Sequence, residues 1–345
     1  MPPLLYKILF FAYNAFVILM ETEGFVLFDL VTCLLTVEKV AFLLLFMGAG
    51  YVFRRSGKLK ENAIHSVSVL LTTLFAPCYT FRSLSANFTV PNLTHNLSLI
   101  LTACGTILVT YPVARLLGKK LGKSAFETDS LTYIYTFPNN GYFGYPVIEN
   151  VFGGEMLGSF VVFCLPFSIS NFSYGYAIFA GNGGAKERWR RALVSPLMIG
   201  CYLGLFFGIT EFSLPKLLSS AVDASADCMS PVSMLLAGLS LGAFSLKDLL
   251  PKLRDIGLVA IRLVGIFVGI GLPLFGICRL FDLPRFLFYM PAMYICLPVG
   301  LNSIAYPQSF GKDASANARL CFLSFLMAIV TLPVIFSFLQ SIFVS

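Results

Sequence analysis

Long apolar stretches recur along the whole chain, and they constrain the fold more than any other feature. Ten of them are each close to the roughly 20 residues that a helix needs to cross a bilayer. They lie at residues 31–53, 64–82, 96–116, 129–151, 157–180, 193–211, 217–244, 256–280, 286–310 and 315–341. Only 12% of residues are charged, and the mean hydropathy is +0.84. Because a transmembrane β-barrel would show short alternating segments instead, the sequence predicts an all-α polytopic membrane protein.

A further apolar segment, residues 4–20, precedes these spans. Its length fits either an eleventh span or the apolar region of a signal-like segment. No small-residue cleavage site follows it, which favours a retained segment. We therefore divide the chain into an N-terminal segment with an acidic linker (1–30), five spans (31–180), a basic linker (181–192) and five further spans (193–345).

Lysine and arginine are concentrated in every second loop. These loops hold Arg54, Arg55, Lys58, Lys60, Arg115, Lys119, Lys120, Lys123, Lys186, Arg188, Arg190, Arg191, Lys247, Lys252, Arg254, Lys312 and Arg319. The loops between them hold only Arg82, Lys216, Arg279 and Arg285. Because cytoplasmic loops carry an excess of basic residues, we expect the first set to face the cytoplasm. The first core span then enters the membrane from outside.

Neither the cysteines nor the histidines form a recognisable metal or redox motif. The nine cysteines include no CxxC, and the closest two, Cys278 and Cys296, are eighteen residues apart. The only histidines are His65 and His95. The sequence therefore gives no support for a metal site or a cofactor. It also shows no nucleophile–base pair of an enzyme, and its net charge of +7 is spread over loops rather than gathered for nucleic acid.

Two of the predicted spans are interrupted by residues that an apolar helix usually avoids. Span 4 contains "TFPNNGYFGYPVI" (136–148), and span 9 contains "CLPVGLN" (296–302). Proline removes a backbone donor, and glycine tolerates unwound backbone. Since an unsatisfied backbone group in lipid costs several kcal/mol, such breaks persist only where protein buries them or where they line a polar cavity. The residues we expect at a binding site here are Pro138, Asn139, Asn140, Gly141, Pro298, Gly300 and Asn302.

The two halves of the chain repeat the same layout of prolines and breaks. Pro77, Pro138 and Pro166 in the first half correspond to Pro231, Pro298 and Pro333 in the second. Five spans per half is an odd number, so the second half would be inverted, as in secondary transporters. If broken helices 4 and 9 cross at mid-membrane, their half-helix N-termini offer N–H groups and partial positive charge to an anion. The alternative is a pair of kinks satisfied by neighbouring helices.

Four polar residues within other spans are further candidates. Asn171 of span 5 should face polar partners and could line the cavity, because an amide facing lipid is costly. Asp223 and Asp227, one turn apart in span 7, could bind a coupling sodium ion or proton, or lie solvated near the outer mouth. Arg262 of span 8 could pair with a substrate carboxylate, but snorkelling to the inner surface is the simpler expectation.

The sequence resembles the auxin efflux carrier family, which includes the plant PIN auxin exporters and bacterial organic-acid carriers. The resemblance covers about residues 28–342, and the N-terminal residues fall outside it. It rests on "GAGYVFRRSGKL" (48–59), "FPNNGYFGYPVIENVFG" (137–153), "SPVSMLLAGLSLG" (230–242) and "LPVGLNSIAYPQSFGKD" (297–313).

The resemblance implies a homodimer in which spans 1, 2, 6 and 7 form a scaffold and the other spans move as an elevator. It implies a substrate carboxylate at the crossover, with Asn139 as its first asparagine and Pro138 and Pro298 as the helix breakers. The second break departs from the family pattern, because Val299 follows the proline where plant members have a polar residue, and the asparagine comes at 302.

The predicted function is secondary transport of a small carboxylate such as malate, malonate or an auxin-like acid, in a bacterial inner membrane. A channel or an anion sensor of the same fold is the alternative. A channel needs a continuous polar pore, for which the spans carry few polar residues.

Overall fold

The computed structural model describes residues 29–59, 61–180 and 193–344. The apolar segment 4–20 and the basic linker 181–192 therefore lie outside the described residues. The described chain is helical, and we number its helices in chain order. They are α1 (Leu30–Arg55), α2 (Glu61–Leu70, a π-helical turn Leu71–Phe75, and Ala76–Asn87), α3 (Leu93–Leu121), α4 (Ala125–Thr136), α5 (Tyr145–Ser170, a π-helical turn Asn171–Gly175, and Tyr176–Ala180), α6 (Pro196–Thr210), α7 (Lys216–Asp227 and Met229–Leu241), α8 (Leu246–Leu249), α9 (Leu253–Ala260, Ile261–Gly265, Phe267–Gly271 and Leu272–Leu280), α10 (Phe286–Ile295), α11 (Asn302–Ser309) and α12 (Ser315–Val344).

Seven helices in the described part of the chain are long and apolar enough to cross a membrane. These are Leu30–Arg55, Ile64–Asn87, Leu93–Leu121, Asn140–Phe179, Lys216–Leu241, Leu253–Leu280 and Ser315–Ile342. Helices α6 and α10 are shorter but equally apolar. Leucines such as Leu45, Leu101 and Leu108 point outward from the bundle, as expected where lipid is the solvent. The prediction of an all-α polytopic membrane protein is confirmed.

Predicted spans 4 and 5 are joined by a sharp bend rather than by a loop. Helix α5 runs from Tyr145 to Ser170, and its one non-helical residue is Gly153, with φ +84° and ψ 174°. This conformation is open to glycine and strained for other residues. The kink at Gly153 interrupts α5 at a single residue, which the sequence alone did not predict.

Two pairs of helices, α1 with α7 and α2 with α6, pack with their backbones almost in contact. A side chain at Gly50 or Gly238 would collide with the backbone of the opposite helix, at Leu235 and Met47 respectively. Along α6, Gly200, Gly204 and Gly208 meet the backbone of α2 and the residue after it in the same way. Small residues permit this close approach between helices in a membrane.

Candidate substrate site at the two helix breaks

The two helix breaks contact each other directly. Helix α4 ends at Thr136 and is followed by extended backbone at Phe137, whereas α10 ends at Ile295 and is followed by a turn at Cys296. Pro138 and Val299 form an isolated antiparallel bridge, in which the Asn139 N–H donates to the Pro298 carbonyl over 2.9 Å. Each break thus satisfies backbone groups that the other would leave unpaired in the bilayer.

The residues around the bridge explain why this sequence forms it. Pro138 has no N–H, so α4 cannot continue through it. A Cβ atom on Gly300 would lie 3.0 Å from the Phe137 carbonyl oxygen, so glycine lets the two strands approach. On the far side, the Val299 N–H donates to Ser324 Oγ of α12 over 3.0 Å. The breaks are therefore held both by each other and by the last helix.

A cavity of about 150 Å³ lies beside the bridge. The structure brings together all of the predicted substrate residues around it except Pro298. Those that line it are Pro138, Asn139, Asn140, Gly141, Asn171, Gly300 and Asn302. That they bind substrate stays a prediction.

Much of the cavity wall comes from residues that sequence reasoning missed. The polar ones among them are Thr72 and Thr80 of α2, Tyr133 of α4, Tyr142 and Tyr145 after the first break, Ser168 of α5, and Ser195 before α6. Three π-helical turns also reach the wall, through Thr72, Asn140 and Asn171. Such turns are frequent at functional sites, and isolated Thr or Ser residues in apolar spans were the available signal.

Asn139 is the polar residue of the site that has a buried donor atom without an acceptor. Its side chain is 4% exposed, and Nδ2 has no hydrogen-bond partner among the described residues. Its backbone is fully used, because the carbonyl accepts from the Gly144 N–H over 2.9 Å. A buried donor without a partner costs about 1–3 kcal/mol. An acceptor atom in the cavity would remove that cost.

Two other amides of the site, Asn171 and Asn302, form hydrogen bonds with tyrosines. The Tyr133 hydroxyl donates to Asn171 Oδ1 over 2.7 Å, and Asn302 Nδ2 donates to the Tyr306 hydroxyl over 3.3 Å. Asn171 thus faces a polar partner inside the bundle. No lysine, arginine, histidine, aspartate or glutamate is among the residues described as lining this cavity. A ligand here would be recognised by neutral donors and helix ends.

The predicted coupling residues lie elsewhere. Asp227 forms an ion pair with Arg82 at 2.7 Å, and its side chain is 71% exposed. Asp223 borders a separate surface groove together with Arg82 and Glu211. Exposed pairs of this kind contribute little to stability. A coupling role for the two aspartates stays a prediction.

The expectation that Arg262 snorkels to the inner surface is wrong. Its side chain is 1% exposed, and Nη1 donates to the Ile295 carbonyl over 2.6 Å. Because α10 ends at Ile295, that carbonyl has no partner within the helix, and the guanidinium donates a hydrogen bond to it instead.

A helical membrane protein with two broken helices beside a cavity that is lined in part by polar residues has the architecture expected of a transport protein. The sequence profile described as "Membrane transport protein" matches residues 35–336, most of the chain. The chain therefore belongs to the membrane transport protein family, the auxin efflux carrier family whose motifs it carries. It is a membrane transporter and not an enzyme.

Similar curated proteins are archaeal transporters. An uncharacterised transporter of Methanocaldococcus jannaschii is 25% identical over 62% of this chain and 71% of its own length. An uncharacterised transporter of Methanothermobacter thermautotrophicus is 25% identical over 59% of this chain and 67% of its own length. Neither description names a substrate.

Proposed function

We propose that the protein is a secondary carrier for a small carboxylate such as malate, malonate or an auxin-like acid. The carboxylate binds at the two helix breaks, with one oxygen accepting a hydrogen bond from Asn139 Nδ2. The observation that carries the proposal is this buried amide donor, which has no partner among the described residues and lines the cavity.

The surroundings of Asn139 favour an anion over a neutral solute. A carboxylate is an acceptor only, and it suits a site whose free group is a donor. The turn Asn140–Gly144 leads into α5, and α11 begins at Asn302, so two helix N-termini meet the cavity wall. Helix N-termini stabilise negative charge through their free N–H groups and partial positive charge. The cavity volume, near 150 Å³, suits a small acid.

We further propose that the ten predicted spans form a 5+5 inverted repeat that works by alternating access. The cavity wall includes Thr72, Asn171 and Ser195, which in the sequence lie on the sides of their helices that lead to the basic loop 54–60 and to the basic linker 181–192. On the opposite side the Tyr79 and Tyr145 rings stack at 5.7 Å, and the Tyr79 hydroxyl donates to Glu149 over 3.2 Å. These contacts support our proposal of a state open to the cytoplasm, and we propose a bacterial inner membrane as the location.

The family resemblance supports an elevator mechanism in a homodimer. The closely packed pairs α1–α7 and α2–α6 would form the scaffold, and α3–α5 with α9–α12 would carry the site across the membrane. The bridge between Pro138 and Val299 joins the two broken helices inside the moving unit.

Transport by proteoliposomes tests the proposal. We expect saturable uptake of labelled malonate or malate, accelerated by the same acid inside the vesicles, and loss of at least about tenfold in Asn139→Ala. Asn150→Ala, an exposed asparagine on α5, is the matched control and should transport normally. Unchanged uptake in Asn139→Ala would remove the proposed site. Uptake without acceleration by internal acid would indicate a channel, and binding without uptake would indicate a sensor.

A further inference from the structure

We call the two helix breaks, joined by the bridge between Pro138 and Val299, the crossover. Arg262 is a buried charged residue beside the crossover, and it is not part of the proposed carboxylate site. Its side chain is 1% exposed, and it does not line the cavity. Four half-buried arginines in the described part of the chain each pair with a carboxylate, and they are Arg82, Arg115, Arg254 and Arg319. Arg262 has no such carboxylate partner there, and its Nε and Nη2 atoms make no hydrogen bond.

The position of Arg262 relative to the broken helices is specific. The C-terminal end of a helix carries unpaired carbonyls and about half a negative charge. Such ends occur here where α4 stops at Thr136 and α10 stops at Ile295. Arg262 Nη1 donates to the Ile295 carbonyl over 2.6 Å, and the Tyr294 hydroxyl donates to the Thr136 carbonyl over 3.4 Å. Both helix ends are thus supplied with donors from within the protein.

At the crossover, the positive N-terminal helix ends and the negative C-terminal helix ends therefore lie in different surroundings. The N-terminal, positive ends at Asn140 and Asn302 line the cavity, whereas Thr136 and Ile295 do not. In carriers built from discontinuous helices, half-helix C-terminal ends and unwound carbonyls coordinate the coupling sodium ion. In this protein a guanidinium occupies one of those ends.

We propose that Arg262 is a resident cation that takes the place of a mobile coupling ion at the crossover. The functional role that we give to Arg262 rests on the proposed carboxylate site, whereas its contacts with the helix end do not depend on that site. Arg262 is a positioning residue, because it contacts the Ile295 carbonyl rather than the substrate. Its fixed charge lets the broken helices close around an anion without a sodium ion at this end.

A test that needs no substrate compares thermal unfolding of the purified full chain in sodium, potassium and choline chloride at equal ionic strength. A cation that binds the folded state raises its melting temperature. We expect the unaltered protein and Arg262→Lys to melt at the same temperature in all three salts. Arg262→Ala should melt lower, and sodium should raise its melting temperature over choline by roughly 2–4 °C. Arg55→Ala, an exposed arginine, should behave as the unaltered protein.

Two results would overturn the inference. One is sodium-specific stabilisation of the protein that persists when Asp223 and Asp227 are both replaced by asparagine, and this arm stands even if Arg262→Ala does not fold. The other is a folded Arg262→Ala whose melting temperature does not respond selectively to sodium, which would make the arginine merely structural. Malonate uptake should also persist when choline replaces sodium on both sides. The melting experiments contain no carboxylic acid. They therefore test the role of Arg262 even if the protein proves not to bind a carboxylate.

Discussion

At the scale of single residues, two buried side chains beside the helix breaks have donor atoms without a hydrogen-bond partner among the described residues. Asn139 faces the cavity, and Arg262 faces the carbonyl end of α10. Burial of a polar group without a hydrogen-bond partner costs free energy, so retention of such a group suggests that it has a function. For Asn139 the missing partner is proposed to be a substrate oxygen.

Replacement of Asn139 by leucine separates a binding role from a structural one. The substitution removes a buried donor that has no partner, so we expect the melting temperature to stay the same or to rise. It also removes a hydrogen bond to a charged ligand, which should weaken malonate binding roughly ten- to a hundredfold. Calorimetric titration and thermal unfolding check the two effects. A variant that loses stability in proportion to binding would point to a structural asparagine.

Gly300 should tolerate no side chain. A Cβ atom there would lie 3.0 Å from the Phe137 carbonyl oxygen and 3.2 Å from that of Pro138. Gly300→Ala is expected to push the two breaks apart at a cost of about 1–3 kcal/mol, seen as a lower melting temperature. Gly105→Ala on α3 is the control, because no atom lies within 4 Å of its added Cβ. Helix propensity should make that control neutral or slightly stabilising.

At the scale of elements, the sequence predicted the breaks but not everything that surrounds them. Pro138 and Pro298 are recognisable as breaks because asparagine and glycine stand close to each of them in the sequence. A proline alone does not mark a break, since Pro112 and Pro333 lie inside helices that continue past them. Thr72 and Tyr133 line the cavity through the packing of α2 and α4, and a single uniformly apolar helix does not reveal which of its faces turns inward. Arg262 lies near enough to a helix end to allow snorkelling, and its burial follows from the unpaired Ile295 carbonyl of a distant segment.

The bend in α5 is a second element that depends on one residue. Gly153 has φ +84°, and a Cβ atom there would meet no neighbour, so backbone conformation rather than space requires glycine. We expect Gly153→Ala to destabilise the protein by about 1–3 kcal/mol. Gly154→Ala, the adjacent position with open space and no positive φ, should cost less than about 0.5 kcal/mol. Equal melting temperatures of the two variants would contradict this account.

At the scale of the whole molecule, the proposed inward-open state predicts the sides from which two positions can be labelled. Thr72 lines the cavity, and Ala86 borders the surface groove at the other end of α2. In a cysteine-free background, an impermeant maleimide should modify Thr72→Cys only from the basic-loop side and Ala86→Cys only from the opposite side. Malonate should protect the first and leave the second unchanged. Labelling of Thr72→Cys from the opposite side alone would reverse the proposed orientation.

The bridge between Pro138 and Val299 also bears on how the protein is made. Pro138 leaves the ribosome long before Val299 has been synthesised, so the first break enters the membrane without the backbone that completes it. Unpaired backbone groups are costly in lipid, and α4 should therefore stay in a protein- or water-lined environment until α10 arrives. Insertion of the first five spans and closure of the crossover are then distinct steps in biogenesis, and a chain truncated before residue 298 should be a substrate for membrane quality control.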